Sequence, residues 1–439
     1  MSNTNIDSVI QSAKSQRKLY FKMSFILLLI LLLHIHNAFI SDLIHERSSL
    51  LYQTQQDIAR TWGNKQKICG PLLAIPYTSS YFDKDQNKSS IFTHTLYVAP
   101  ESVIIDTDVT TEERKKGIYS TTLYTADNNI EAKFVIPEKE AFGKKMNSIS
   151  WDEASIIIPL TQPSSVISKV DLMYGSEPYK MRSYNSSNLG NSLQAIIDIK
   201  DQSTIEVSAN LKLRGSQSLE YIATGEDHQT SMNCDWPSPG FQGSMLPVTR
   251  EISTDGFTAA WSANEYSRPM PDLWKDNDYR LGNSEQAFGV KLVQTVDHYQ
   301  KNFRSVKYAL LIISLSFLIF FFFEVLNGRK IHPLQYILIG LGLSLFYLLL
   351  LSLSEHVGFN LAYGIASIGT ISLVTWYSST MLRAGKNVMM LGATLIGLYG
   401  YIFVLLQMED YALLAGAIGL FVILAIVMAL SRKMDWYSY

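Results

Sequence analysis

The chain has 439 residues, of which 47% are hydrophobic and only 17% charged, against roughly 25% charged in soluble domains. The net charge is −2 with no long Lys/Arg run, which argues against a nucleic-acid partner. The length allows two or three units, and the charges fall mostly between Asp42 and Arg304.

Residues 1–22 are polar and carry Lys14, Arg17, Lys18 and Lys22 against Asp7 alone. Met23–Leu33 is almost pure Ile, Leu and Phe, and apolar character continues to Ile40. A cleaved secretory signal has the same outline. An uncleaved anchor is favoured because the basic lead is long and no small-x-small site follows Leu33. A helical spacing also carries on through Ile40, Leu43, Ile44, Leu51 and Ile58. The reading is a transmembrane helix over 23–40 that continues as a stalk over 41–62, with His34 and His36 at the interface.

From Asn64 to about Gln300 the hydrophobic period is two. Pro71–Tyr77 reads as an edge strand, since neither Pro71 nor Pro76 donates to a ladder. Gly117–Tyr124 and Ile130–Ile136 flank Thr125–Asn129 and predict a hairpin turning there. Further strands are predicted at Ser155–Leu160, Thr204–Leu213, Gln217–Ala223, Gly256–Trp261 and Gly289–Val296. Together they predict a mainly antiparallel β domain over 41–306, a sandwich or two packed sheets. In Asp235–Pro247, Trp236 and Phe241 are candidates for a partner-binding loop, although a Pro/Gly turn capping the sheet core is the simpler reading. Cys69 and Cys234 would pair only if the fold brought them together outside the cytoplasm.

Five apolar segments follow, at about 307–326, 334–353, 358–381, 387–406 and 411–430. Each supplies the roughly 20 residues that a helix needs to cross a bilayer core. The gaps alternate in charge: Arg329, Lys330 and His332; then Glu355 and His356; then Arg383 and Lys386; then Glu409 and Asp410; then Arg432 and Lys433. Under the positive-inside rule, residues 1–22 and the tail 431–439 are cytoplasmic and the β domain is periplasmic. The expected fold is thus an α+β membrane protein with one N-terminal and five C-terminal transmembrane helices (307–430), the β domain being inserted between helices 1 and 2. Gly340, Gly342, Gly364, Gly369, Gly392, Gly397 and Gly400 mark expected helix contacts.

Polar residues in this block are the functional candidates. Glu324 is expected to pair with one of the cations at 329, 330 or 332. His332, Gln335 and Asn360 are further candidates, with Gln335, Asn360 and Tyr363 able to hydrogen-bond between helices. Glu355 and His356 read as a tight outer turn, able to exchange protons or simply to dock on the β domain. No HExxH, GxSxG, Walker A or CxxC motif occurs, and the eight histidines show no zinc spacing, so neither a metal nor a cofactor is expected.

Several strings match a known family: FFFFE (320–324), HPLQY (332–336), LFYLLLLSLSEH (345–356) and FNLAY (359–363). EERKKGIYSTTLY (112–124), WPSPGFQGSMLP (236–247), GFTAAW (256–261) and WGNKQKICGPLLAIP (62–76) extend the match over most of the chain from about Arg60 to Tyr377. In these the chain resembles the CreD family of bacterial inner-membrane, or cell envelope integrity, proteins. The resemblance implies an inner-membrane protein tied to envelope stress and colicin tolerance, and it does not imply a reaction. The leading expectation is a non-enzymatic protein, held among membrane lipids, whose periplasmic domain binds an envelope partner. The alternative is a transporter or lipid-handling protein using a polar site near Glu355 and His356.

Overall fold

The computed structural model describes residues 3–83, 88–200, 202–268, 270–276, 278–281, 286–292, 298–327, 331–382, 385–408 and 411–432. The chain forms two compact units, Met1–Leu50 with Val296–Tyr439, and Leu51–Thr295.

The first unit is helical. It holds most of α1 (Asn3–Trp62), then α2 (His298–Lys307), α3 (Ala309–Asn327), α4 (Pro333–Val357), α5 (Phe359–Leu382), α6 (Gly385–Gln407) and α7 (Ala412–Ser431). Among the described residues five helices are long and apolar enough to cross a membrane, one near the N-terminus and four towards the C-terminus. The span expected at about 307–326 corresponds to α3, which passes the same test only when taken together with α2, from which it bends by 41°. Residues His298–Lys307, read from sequence as the end of the β domain, are helical and belong with this unit.

In α1 the buried stripe is Ile26, Leu29, Leu33, Asn37, Ile40 and Ile44, a spacing of three and four that follows one helix face. Leu27, Leu28, Leu31, Leu32, Ile35 and Phe39 are exposed on the other sides, as suits a lipid solvent. At Gly340 a Cβ would lie 2.4 Å from Leu33 Cδ1 and 2.8 Å from Phe317 Cζ, so α4 meets α1 and α3 closely there. Gly364, Gly369, Gly397 and Gly400 have open space instead, so these expected contact glycines mark no close approach. The bundle interior is aromatic: Phe346 meets Tyr347, Tyr363 and Tyr399 edge-on, with ring centres 4.9, 5.4 and 4.8 Å away.

The second unit holds three sheets. The eight-stranded sheet runs Thr249–Ser253, Gly256–Asn264, Asp227–Cys234, Ser102–Lys116, Tyr119–Val135, Thr204–Ser216, Asp171–Tyr174, Glu177–Lys180. The seven-stranded sheet runs Arg182–Ser186, Gly190–Ile197, Ala154–Pro159, Leu72–Asp83, Lys88–Val98, Leu273–Lys275, with Met146–Ile149 also on Leu72–Asp83. The four-stranded sheet runs Gln66–Cys69, Ser218–Ile222, Phe288–Leu292, Pro239–Gly243. Pairing is antiparallel except between Asp227–Cys234 and Ser102–Lys116, and between Gln66–Cys69 and Ser218–Ile222. One core, with Tyr124, Phe134, Ile156, Ile158, Leu213, Tyr221, Trp261 and Phe288, serves all three sheets.

Two strand expectations are corrected. Thr125–Asn129 is no turn: Tyr119–Val135 is one continuous strand, and the hairpin turns at Gly117 (φ +65°). Alternation survives through the Asp/Asn run because Ala126, Asn128 and Ile130 point inward while Asn129 faces solvent. Asn128 is fully buried, donating to Leu211 O (2.9 Å) and accepting from Thr107 Oγ1 (3.0 Å) and Tyr221 Oη (2.9 Å). Nor is Leu72–Asp83 an edge strand. One side pairs with Lys88–Val98, and the other switches from Ala154–Pro159 to Met146–Ile149 between Ala74 and Tyr77. Pro76 sits at that switch, where its missing N–H is least costly.

The end of α1 is fixed within this unit. Trp62 lies between the Arg214 and Arg114 guanidinium groups, 4.2 and 5.1 Å from its ring, and donates from Nε1 to Tyr124 O (3.3 Å).

The buried Asn128 node predicts that Asn128→Ala lowers the thermal stability of this unit by about 2–3 kcal/mol, whereas Asn129→Ala changes it by less than ~0.5 kcal/mol. Equal effects would mean that the segment is a turn. His228 is buried between Thr224 N (3.5 Å, donating to Nδ1) and Thr230 Oγ1 (3.1 Å from Nε2), and burial lowers its pKa from 6.5 to about 4. The unfolded chain takes up that proton first, so this contribution is complete above pH 6.5 and is lost as pH falls towards 4. His228→Gln should remove roughly 3 kcal/mol of acid-induced destabilisation across that window, read from melting curves against pH.

Candidate functional site

The charged groups of the helical unit that make described bonds lie near helix ends, and the Asn37–Ser344 pair lies further inside. At the first end, Lys22 of α1 pairs with Glu324 of α3 and donates to Ile331 O (3.0 Å). Tyr336 of α4 donates to Glu324 Oε2 (3.1 Å), and the Lys22 ammonium stands 5.4 Å from the Tyr336 ring centre. Of the three cations expected to pair with Glu324 only His332 is described, and among the described residues the ion pair is made with Lys22 of α1. Arg329 and Lys330 lie outside the described residues. The pair is largely withdrawn from solvent (side chains 20% and 10% exposed), so it ties α1, α3 and α4 together at one level.

His332 and Gln335 close the start of α4. His332 Nδ1 accepts from Leu334 N (3.2 Å), and Gln335 Oε1 accepts from His332 N (3.0 Å). This reciprocal capping box satisfies orphan donors of the first turn. Gln335 therefore acts within its own helix, and the expected interhelical bond is not made through it.

At the opposite end, Glu355 and His356 occupy the last turn of α4, and the chain breaks only at Gly358 (φ +80°). The expected tight turn at these two residues is thus helical, and consecutive helical residues do not face each other. Glu355 accepts from Tyr299 Oη of α2 (3.0 Å), and His356 is exposed. Beside them Asn302 Nδ2 donates to Ser354 Oγ (2.7 Å). Arg304 donates to Leu405 O (3.1 Å) and Met408 O (2.7 Å), carbonyls at the end of α6. Asn360 Oδ1 accepts from Gln407 Nε2 (2.6 Å), and Tyr363 Oη donates to Tyr399 O (2.8 Å), the interhelical bonds expected of both. Midway, Ser344 Oγ donates to Asn37 Oδ1 (2.6 Å). Arg383, Glu409, Asp410 and Lys433 lie outside the described residues.

A cavity of about 820 Å³ lies between α3, α6 and α7. Its walls are apolar except for Thr394 and Tyr401, whose hydroxyls bond Met390 O and Ala415 O (both 2.8 Å). Glu355, His356 and Asn360 do not line it.

In the β unit, Trp236 and Phe241 pack on the main core. Phe241 meets Phe257 and Trp261 edge-on at 5.7 and 5.9 Å, which makes the 235–247 segment a cap rather than a free loop. Cys69 and Cys234 are free buried thiols belonging to separate apolar clusters, so the disulfide left open by the sequence is not formed. Burial pushes both thiols up, Cys234 to about 12. The described residues hold no group of three metal-ligating side chains. The outward face of the eight-stranded sheet is polar across its middle. Ser231 donates to Asp106 (2.5 Å) and Asn233 to Asp108 (3.1 Å). Asn210 donates to Asp127 and Asn129 (both 2.7 Å).

One constellation was missed by sequence reasoning. Ser79 Oγ lies 2.9 Å from His94 Nε2, His94 Nδ1 lies 2.5 Å from Asp276 Oδ2, and Asp276 Oδ1 accepts from Thr95 N (2.7 Å). Ser79 and His94 come from paired strands, and Asp276 follows Leu273–Lys275, which pairs with the His94 strand. No contiguous motif joins these residues; only the strand register does.

The Lys22–Glu324 pair predicts that Lys22→Met lowers the melting stability of the detergent-solubilised chain by about 1–3 kcal/mol, because Glu324 is left without its cation. The exchange of Lys22→Glu with Glu324→Lys should recover at least half of that loss. A neutral Lys22→Met would count against the bridge.

The family model described as "Inner membrane protein CreD" matches residues 18–437. "Inner membrane protein CreD" of Escherichia coli (strain K12) is 32% identical over 428 residues, covering 96% of this chain and 94% of that protein. With several apolar helices in one unit and an antiparallel-rich sheet unit between the first and the rest, the chain belongs to the CreD family of inner membrane proteins.

Proposed function

We propose that this is a cell-envelope integrity protein, with both termini in the cytoplasm, whose β unit meets a periplasmic envelope partner. The observation that carries the reading is the broad polar sheet face of Asp106, Asp108, Asp127, Asn129, Asn210, Ser231 and Asn233 on a unit with its own core. Such a face offers hydrogen bonds, which suits a polar envelope component. The helices anchor it. Colicin tolerance and an envelope-stress role come from the family resemblance and belong to the same proposal.

A lipid-handling role is the second reading. The apolar cavity between α3, α6 and α7 favours an acyl chain over a solute, because its two hydroxyls are already bonded. This reading uses a different region from the polar site near Glu355 and His356, neither of which lines the cavity.

Topology is tested first. A cysteine at Ser148 should react with an impermeant maleimide in intact spheroplasts, and one at Lys386 should react only after lysis. The reverse pattern would overturn the orientation. Photo-crosslinking residues introduced at Asn129 and Asn210 should then capture a specific envelope component. Capture of none at either position would remove the binding role from this face.

A further inference from the structure

We propose that Ser79, His94 and Asp276 form a hydrolytic site for acyl esters at one end of the seven-stranded sheet. The sequence expectation of no reaction rested on missing contiguous motifs, and a serine–histidine–aspartate relay needs none, since geometry and roles define it. Leu73, Ile75, Tyr77 and Ser79 share one face of their strand; the first three are buried, and Ser79 is half-buried where that face leaves the core. His94 lies on the same face of the paired strand and stacks on Tyr77, ring centres 5.3 Å apart.

The hydrogen bonds decide the proton positions. An ionised Asp276 only accepts, so His94 Nδ1 must carry the proton it donates at 2.5 Å. In the neutral imidazole Nε2 is then the lone-pair acceptor, 2.9 Å from Ser79 Oγ, the arrangement a general base requires. Asp276 is itself held. It adopts φ +39°, donates from N to Thr95 O (2.9 Å) and accepts from Thr95 N, while Asn188 Nδ2 bonds its carbonyl (2.6 Å). A non-glycine residue kept in the left-handed region marks a position over-determined by its surroundings. The adjacent Lys275 donates to Phe142 O (2.9 Å) and stands 5.8 Å from the centre of the Tyr77 ring on which His94 stacks.

In the reaction, Ser79 Oγ bonds to the ester carbonyl carbon as His94 Nε2 takes the hydroxyl proton. Collapse of the tetrahedral oxyanion breaks the bond to the alcohol oxygen, which leaves with the proton from His94. Water then attacks acyl-Ser79, gives its proton to His94, and Ser79 recovers it. One ester and one water become one acid and one alcohol, with no redox partner. His94 and Asp276 are 31% and 38% exposed, so the ester reaches them from solvent.

The test treats the full chain in detergent with a fluorophosphonate probe and maps the adducts by mass spectrometry. Ser80 and Ser148 are internal controls, because their hydroxyls bond Asn147 and Thr78 and no imidazole. Ser79 should be modified at least ~100-fold faster than either. His94→Gln should bring Ser79 down to the control rate without moving the melting temperature. Asp276→Asn, which positions His94 through the wrong tautomer, should lower the rate and flatten its pH profile. Equal rates at Ser79 and Ser148 in the unmodified chain, or Ser79 labelling unchanged in folded His94→Gln, would overturn the site. Should His94→Gln fail to fold, the comparison between serines within the unmodified chain decides.

Discussion

The helical unit depends on one constraint: a polar group removed from water must find its partner inside the protein. Lys22 and Glu324 show it most directly. They lie about three hundred positions apart in sequence, on the first helix and the third, and each would be costly to withdraw alone. Their pairing sets the level at which α1 meets α3, and Tyr336 brings α4 to the same level. The tight approach at Gly340 and the Asn37–Ser344 bond then hold α1 against α4 further along.

The same requirement explains the opposite end. Tyr299, Asn302 and Arg304 of α2 each reach a neighbouring helix, to Glu355, to Ser354 and to the final carbonyls of α6. The bend at Tyr308 lets α2 carry these polar side chains while α3 stays almost wholly apolar. Of the pair that read in sequence as a candidate for proton transfer, Glu355 is thus bonded in closing the bundle, while His356 is exposed. α7 shares in this least: Leu413 and Phe421 are 88% and 73% exposed, and its close contact is Gly419 under the Tyr401 ring.

In the β unit the governing quantity is register. A strand shifted by one residue would turn Asn128 out and Asn129 in. As built, Asn128 knits three strands through Thr107, Tyr221 and the Leu211 carbonyl. Register likewise sets Ser79 diagonally across from His94, and the short strand Leu273–Lys275 delivers Asp276 behind it. The polar face of the eight-stranded sheet and the Ser79–His94–Asp276 constellation then share one unit on different sheets.

Composition and hydrophobic period by themselves determined the class of protein: apolar helices around an inserted β domain, with α1 continuing to Trp62. They did so because a bilayer selects long apolar runs and a half-buried sheet selects alternation, and both are local patterns. Asn360 and Tyr363 were legible as interhelical donors or acceptors for the same reason: an uncharged polar group in an apolar run has few other uses. Tertiary structure decided the rest. It gave Glu324 a cation from α1, spent His332 and Gln335 on a helix cap, sent Glu355 to Tyr299, and left Cys69 and Cys234 in separate clusters. It also made a continuous strand of Thr125–Asn129, whose turn-forming residues lost to flanking strands that pair along its whole length. Those choices depend on residues distant in sequence, and only the packed chain brings them within bonding distance.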